Sequence, residues 1–269
     1  DTHRHIATGH DEAKFGIPLD NLPATWEAVD AHDGVQLVGL SSHIGSQLTE
    51  IAPFLDALER LLVLLDRLRE EGIEVSHLDL GGGLGVPYRD ETPPAPFDYA
   101  SKLLERLSRW EGGERLTLLF EPGRSIAANA GVMLTRLTYL KPGETKNFAI
   151  VDAAMNDLIR PSLYQAWQAI IEVDTRQQRD SDIYDVVGPV CETGDFLGKE
   201  RRLAVAPGDL LAVRSAGAYG FVMASNYNSR PRPAEVLVDG DSWQVVRQRE
   251  RIEDLWAGES LPDAAGESR

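Results

Sequence analysis

The spacing of apolar positions changes about halfway along the chain. In the first half, short continuous apolar runs alternate with stretches in which apolar residues recur every three or four positions. The run "VQLVGLSSHIG" predicts a strand ending near Ser42, and "VSHLDL" and "RLTLLF" predict two more, which lead into "GGGLG" and "EPGR". Between the first two, Ile51, Phe54, Leu55, Leu58, Leu61, Leu62, Leu65 and Leu68 follow helical spacing, with Gly72 placed to stop the helix. After the Pro-rich "RDETPPAP", Phe97, Ala100, Leu103, Leu104 and Leu107 mark another helix. Strands that alternate with amphipathic helices build a parallel sheet. Three successive strands therefore end in polar or glycine-rich segments, at the edge where (β/α)-barrel enzymes carry their active sites.

From about Gly131 the pattern becomes that of short strands: "VMLTRLTYL", "KNFAIVDAA", "IYDVVGPV", "DLLAVRSAGAY" and "AEVLVDGDSWQVVRQ". Asp239-Gly240 within the last is a hairpin signal. One helix-like interruption, "MNDLIRPSLYQAW", falls inside this half, and "GESLPDAAGESR" reads as a loose tail. The pattern predicts an α/β domain over residues 1–130 and a mostly antiparallel β domain over residues 131–269, without internal repeats.

Composition narrows the function. A hydrophobic share of 42% over 269 residues is enough for a sizeable core. Acidic residues outnumber basic ones 43 to 27, and the net charge of -16 repels nucleic-acid backbones; solubility is the simpler reading of that charge. No run of 18 apolar residues is present, so no membrane span is expected. Cys191 is the single cysteine, and no basic segment followed by an apolar one opens the chain; a cytoplasmic location is the default expectation.

Each motif has a functional and a structural reading. The glycine triplet of "DLGGGLG" brings backbone amides close enough to hold an anion such as a phosphate, or it makes a tight turn. In "SHIGSQ", His43 and Ser46 are a site imidazole and hydroxyl, or a packed histidine and a helix cap. In "EPGR", Glu121 and Arg124 flank a Pro-Gly turn, as site groups or as a structural salt bridge. Their placement on three consecutive strand ends favours the site readings: together they suit a phosphorylated aromatic cofactor. No His/Cys/Asp/Glu cluster has metal-ligand spacing, so no metal is expected. Cys191, in "GPVCETGDFLG", is open to reading as nucleophile, ligand, proton donor or buried filler.

The motifs "TGHDEAKFGIP", "HIGSQ", "HLDLGGGLGVPY", "EPGR", "MNDLIRPSLYQAW", "GPVCETGD" and "GAYGFVMASNYNSRPRPAEVL" resemble, in order and over nearly the whole chain, the diaminopimelate decarboxylases of the alanine-racemase-like (fold-type III) pyridoxal-phosphate enzymes. The resemblance implies part of a TIM-type (β/α)8 barrel over residues 1–130. It implies a β-rich domain over residues 131–269 that supplies substrate-binding and dimer-interface residues.

It also implies roles. His43 stacks on the pyridine ring; Ser46, Gly81, Gly82, Gly83 and the Pro122-Gly123-Arg124 turn hold the phosphate, with Tyr219 adding a contact. Glu121 faces the ring nitrogen and favours its protonated form. Arg124, Arg160 and Tyr164 grip the distal carboxylate of the substrate, and Glu192 reads its distal ammonium. Tyr219 also lies on the substrate side. Cys191 and Glu192 reach across a homodimer interface, and the Cys191 thiol returns a proton after CO2 leaves. Thr193 stands where the family commonly has serine.

Such enzymes need a lysine for the internal Schiff base. None of Lys14, Lys102, Lys141, Lys146 and Lys199 falls at the end of a predicted barrel strand, and the chain opens without methionine inside a family motif. The expectation is a fragment lacking its N-terminal part and inactive alone. Rival readings are a decarboxylase of another basic amino acid and a non-catalytic regulatory relative.

Overall fold

Burial sets the layout of the first half. In the computed structural model, which describes residues 14–176 and 178–262, helix α1 (Leu22–Asp30) and strand β1 (Gly39–Ser41) precede helix α2 (Ala52–Glu70). One stripe of α2 buries Phe54, Leu58, Leu61, Leu62, Leu65 and Leu68. It packs with Leu78 of strand β2 (His77–Asp79) and with Tyr99, Leu103 and Leu107 of helix α3 (Pro96–Leu107) in one core. Leu58 is fully buried there, a burial worth about 2 kcal/mol. Proline opens α2 and α3, where the first turn needs no N–H donor. Gly72 stops α2 as expected: its φ of +81° lets the Ile73 amide return to the Leu68 carbonyl at 2.8 Å.

Strands β1 and β2 pair in parallel, as do β2 and β3 (Thr117–Leu119), in the order β1-β2-β3. Each contributes three residues to the ladder, fewer than the apolar runs suggest. Val35 and Val38 stay outside it and are exposed. Strands β1 and β3 are edges among the described residues, so the ladder extends only where β2 reaches. Helix α4 (Gly123–Ala127) follows β3 within five residues.

The described residues divide into two compact units, the first ending at Gly131 and the second beginning at Val132. In the second, β4 (Met133–Lys141), β5 (Asn147–Val151), β6 (Ile170–Glu172), β7 (Asp182–Val187), β8 (Phe196–Leu203) and β9 (Leu210–Val213) form a sheet in the order β6-β9-β4-β5-β7-β8. Every pair is antiparallel except β5 with β7. Its core centres on Leu137, Val151, Leu158, Val186, Leu197, Leu203 and Leu211. Strands β10 (Glu235–Asp239) and β11 (Ser242–Arg247) make the hairpin that Asp239-Gly240 predicts, with Gly240 at φ +56°. The α/β part of a (β/α) barrel followed by a mostly antiparallel domain is thus the architecture observed.

Three details differ from expectation. The helix of "MNDLIRPSLYQAW" shrinks to α5 (Arg160–Tyr164). Asp157 Oδ2 accepts the Ala154 amide at 2.9 Å, which makes residues 154–157 a turn, and Pro161 cannot extend a helix toward it. Strand β8 carries Lys199, Glu200, Arg201 and Arg202, which hide its alternation; Arg201 is buried with its guanidinium stacked on Trp167. Strand β6, three residues long, is one that the pattern does not predict. The "TGHDEAKFGIP" motif up to residue 13, and the tail from residue 263, lie outside the described residues. Among the described residues no helix is long and apolar enough to cross a membrane.

Candidate functional site

The three strand-end segments of the first unit meet through the glycine triplet. A Cβ on Gly81 would lie 2.3 Å from the Ser42 carbonyl oxygen, one on Gly82 2.3 Å from that of Glu121, and one on Gly83 2.3 Å from that of Gly45. Gly81 and Gly83 thus let the loop after β1 approach at backbone distance, and Gly82 the loop after β3. Gly81 and Gly83 also have φ of +67° and +98°, so the turn curves as other residues rarely do. The Glu121 amide donates to the Gly81 carbonyl at 2.9 Å and the Leu48 amide to that of Gly83 at 2.9 Å. His43, Gly82 and Glu121 therefore sit side by side at the carboxyl ends of β1, β2 and β3.

Close approach and anion binding share this triplet unevenly. The Gly81 amide is committed to Asp79 Oδ1 at 2.8 Å, so the contribution expected of it as an anion donor is replaced by a turn-closing bond. The Gly82 amide lies 3.4 Å from His43 Nδ1, which ties the imidazole to the triplet. Glu121 and His43 are both exposed, with Glu121 in no ion pair among the described residues. The salt-bridge reading of "EPGR" fails on Arg124, which is buried and donates to the hydroxyls of Tyr88 at 2.6 Å and Ser46 at 2.8 Å. Ser46 is no helix cap either, because Ile51 occupies that position for α2.

Two residues that the sequence reading missed hold this arrangement. Gln47, at φ +61°, both donates to the Val86 carbonyl at 2.6 Å and accepts its amide at 3.2 Å. Its side chain acts as a strand partner that straps the first loop to the second. Tyr88, in "GVPY", aims the Arg124 guanidinium. The only signal for either was membership of a quoted motif.

In the second unit, Arg160 begins α5 and is buried, and Tyr164 ends that helix one turn on. Cys191 is exposed, which removes the buried-filler reading. Its turn is tied down by Asp195, itself buried: Oδ1 accepts the Met155 amide and Oδ2 the Val190 amide, each at 2.7 Å. Burial pushes the Asp195 carboxyl up, against the lowering effect of those amides. Gly188 leaves room for this carboxylate, since a Cβ there would lie 2.5 Å from Oδ2. Glu192, next to the thiol, accepts the Tyr227 hydroxyl at 2.6 Å. Tyr219 is exposed at φ +58°, a strained conformation for a tyrosine. Asp195 and Tyr227 were also missed by the sequence reading, although both lie within quoted motifs.

Glycine-built loops at the ends of parallel strands, followed by a β domain, define a class, and comparison with known proteins agrees. Residues 1–128 match the pyridoxal-dependent decarboxylase pyridoxal-binding domain. The family whose model the first half matches is thus that of the pyridoxal-dependent decarboxylases.

Within that family the similarity is to one branch. The chain is 61% identical, over 97% of its length, to diaminopimelate decarboxylase of Pseudomonas aeruginosa, and 58% identical to that of Vibrio cholerae. A crystal structure of diaminopimelate decarboxylase from Helicobacter pylori, complexed with L-lysine, matches with a TM-score of 0.88 at 39% identity over 95% of this chain and 63% of that one. The chain spans about 61% of the length of the two bacterial relatives.

The residues present fit pyridoxal phosphate. A phosphorylated, protonatable aromatic ring calls for a flat partner, a carboxylate, and donors on a turn that backbone can approach. His43, Glu121 and the Gly82-Gly83 turn supply these from adjacent loops. Among the described residues no group of three His, Cys, Asp or Glu side chains could hold a metal ion.

Proposed function

We propose that this chain carries most of the active-site residues of a pyridoxal-phosphate-dependent decarboxylase that converts meso-2,6-diaminopimelate to L-lysine and CO2, for lysine biosynthesis in the cytoplasm. The observation that carries this reading is the contact of Gly82 with Glu121 and His43 across three parallel strand ends. Pyridoxal phosphate, when bound, supplies an electron sink for the pair released with CO2.

The residues of this chain do the rest. His43 covers the ring face, and Glu121, as an adjacent carboxylate, favours a protonated ring nitrogen. Ser46, Gly82, Gly83, the Pro122-Gly123-Arg124 turn and Tyr219 hold the phosphate. Arg124 and Arg160, with Tyr164, bind the distal carboxylate through the planar guanidinium fork, and Glu192 binds the distal ammonium. The exposed Cys191 thiol delivers a proton to the α-carbon. Cys191 and Glu192 act in the neighbouring subunit of a homodimer, consistent with their position on an exposed turn. The strain at Tyr219 supports a site role for that residue.

Substrates without the distal carboxylate forgo the charge-assisted bonds that the two guanidinium groups offer it, and turnover of lysine or ornithine is expected to be about 1,000-fold lower. The test is CO2 release by the complete protein on meso-diaminopimelate, lysine and ornithine, with the absorbance of bound cofactor recorded beside it. Cofactor absorbance and turnover selective for meso-diaminopimelate support the assignment. A complete protein that binds no cofactor is instead a regulatory relative. The chain of 269 residues alone is expected to be inactive, for want of a Schiff-base lysine on a barrel strand; turnover by it would show that one of its five lysines serves.

A further inference from the structure

The loop from Ser225 to Arg232 holds two consecutive non-glycine residues, Asn228 and Ser229, at φ +55° and +54°. Side chains adopt that conformation only where their surroundings impose it. Here they do. Asn226 Nδ2 donates to Glu250 Oε2 at 2.7 Å and to the Arg230 carbonyl at 3.1 Å. Arg230 Nε donates to Asn156 Oδ1 at 2.8 Å, and its terminal nitrogen to the Asp152 carbonyl at 2.6 Å. What the loop presents is Tyr227, whose hydroxyl donates to Glu192 Oε2 at 2.6 Å.

The other carboxylate oxygen of Glu192 lies close to its own turn. Its carboxylate folds back over Gly194, where a Cβ would lie 3.0 Å from Oε1. The two residues line a cavity of about 290 Å³ with Met155, Asn156, Ile159 and Ser225. An exposed glutamate ordinarily samples many rotamers, and ordering it on binding costs affinity.

We propose that Tyr227 is a positioning residue that presets the Glu192 carboxylate for the substrate's ammonium group, and so sets affinity and specificity for diaminopimelate more than rate. The proposal rests on the function given above. Glu192 already occupies one rotamer before the ammonium arrives, and the phenol leaves its other oxygen to receive it. Consistent with a short bond to a carboxylate, the Tyr227 phenol is held above its ordinary value by the Glu192 carboxylate.

In the complete holoenzyme, Tyr227→Phe is expected to raise KM for meso-diaminopimelate about 5- to 10-fold with kcat within about twofold and cofactor absorbance unchanged. Glu192→Gln is expected to raise KM further, and the double variant to be no worse than Glu192→Gln alone. An unchanged KM in Tyr227→Phe, a loss confined to kcat, or effects that multiply in the double variant would overturn the proposal.

A second measurement separates this pairing from the functional reading. The difference in ultraviolet pH titration between the wild type and Tyr227→Phe reports the Tyr227 phenol. Repeated in the Glu192→Gln background, it is expected to show that phenol titrating at lower pH. No shift overturns the pairing, whatever the substrate proves to be. Absence of turnover by the wild type counts against the functional reading alone.

Discussion

The strand-end loops of the first unit and the Cys191 turn of the second are built by opposite means. In the first, backbone meets backbone, and Gly81, Gly82 and Gly83 serve by having no side chain: one added carbon strikes a carbonyl oxygen at 2.3 Å in each case. In the second, side chains gather backbone. The Asp195 carboxylate draws the Met155 and Val190 amides together, and Asp157 does the same for Ala154. The first kind of loop is broken by adding an atom and the second by removing a few.

The largest expected effect tests the backbone side. Gly82→Ala forces the Glu121 loop away and should destabilise the complete protein by about 3 kcal/mol with loss of cofactor absorbance, measured by urea unfolding. Gly123→Ala is the matched control, because nothing lies within 4 Å of a Cβ there; it should change stability by less than about 0.5 kcal/mol. Equal losses in the two would dissolve the contrast.

Next comes the side-chain side. Asp195→Ala leaves two amides without their acceptor and should cost about 2 kcal/mol. Its sharper signature is a slower reaction at unchanged cofactor absorbance, read by CO2 release and spectroscopy on the same sample. Loss of cofactor in this variant would mean that the two regions are not separately built.

The smallest effect is a pH dependence. The Arg232 guanidinium beside Glu250 holds that carboxyl down to about 2 from an ordinary 4.5. A depressed carboxyl contributes stability above its ordinary value, and that contribution is lost as pH falls through the window between the two values. The stability of wild type over Glu250→Gln should therefore shrink between pH 7 and about pH 3, read from unfolding midpoints. Because this pair lies at the surface, a modest change is expected. A difference that does not change with pH removes the ion pair from the support of the Tyr227 loop.

Much of this architecture was legible in the order of residues. The leucines of α2 face one core because their spacing matches the helical turn. The three parallel strands end where the polar motifs begin, and Asp239-Gly240 turns a hairpin as its chemistry requires. What escaped was masked by composition or by distance. The charges of β8 hid a strand whose Arg201 is buried against Trp167. The turn at Asp157 cut short a helix that local spacing favours. Motif membership named Gln47, Tyr88, Asp195 and Tyr227 but gave none of them a task.

Periodicity, capping and turn residues act between neighbours a few positions apart, and so the chain alone determined most of its elements, their order and the chemistry available at the strand ends. Partner choice was decided by the tertiary structure. Arg124 finds Ser46 across 78 positions and Tyr227 finds Glu192 across 35. A hydrogen bond between side chains depends on where packing sets each backbone, and that is settled only when the separate elements have closed on their cores.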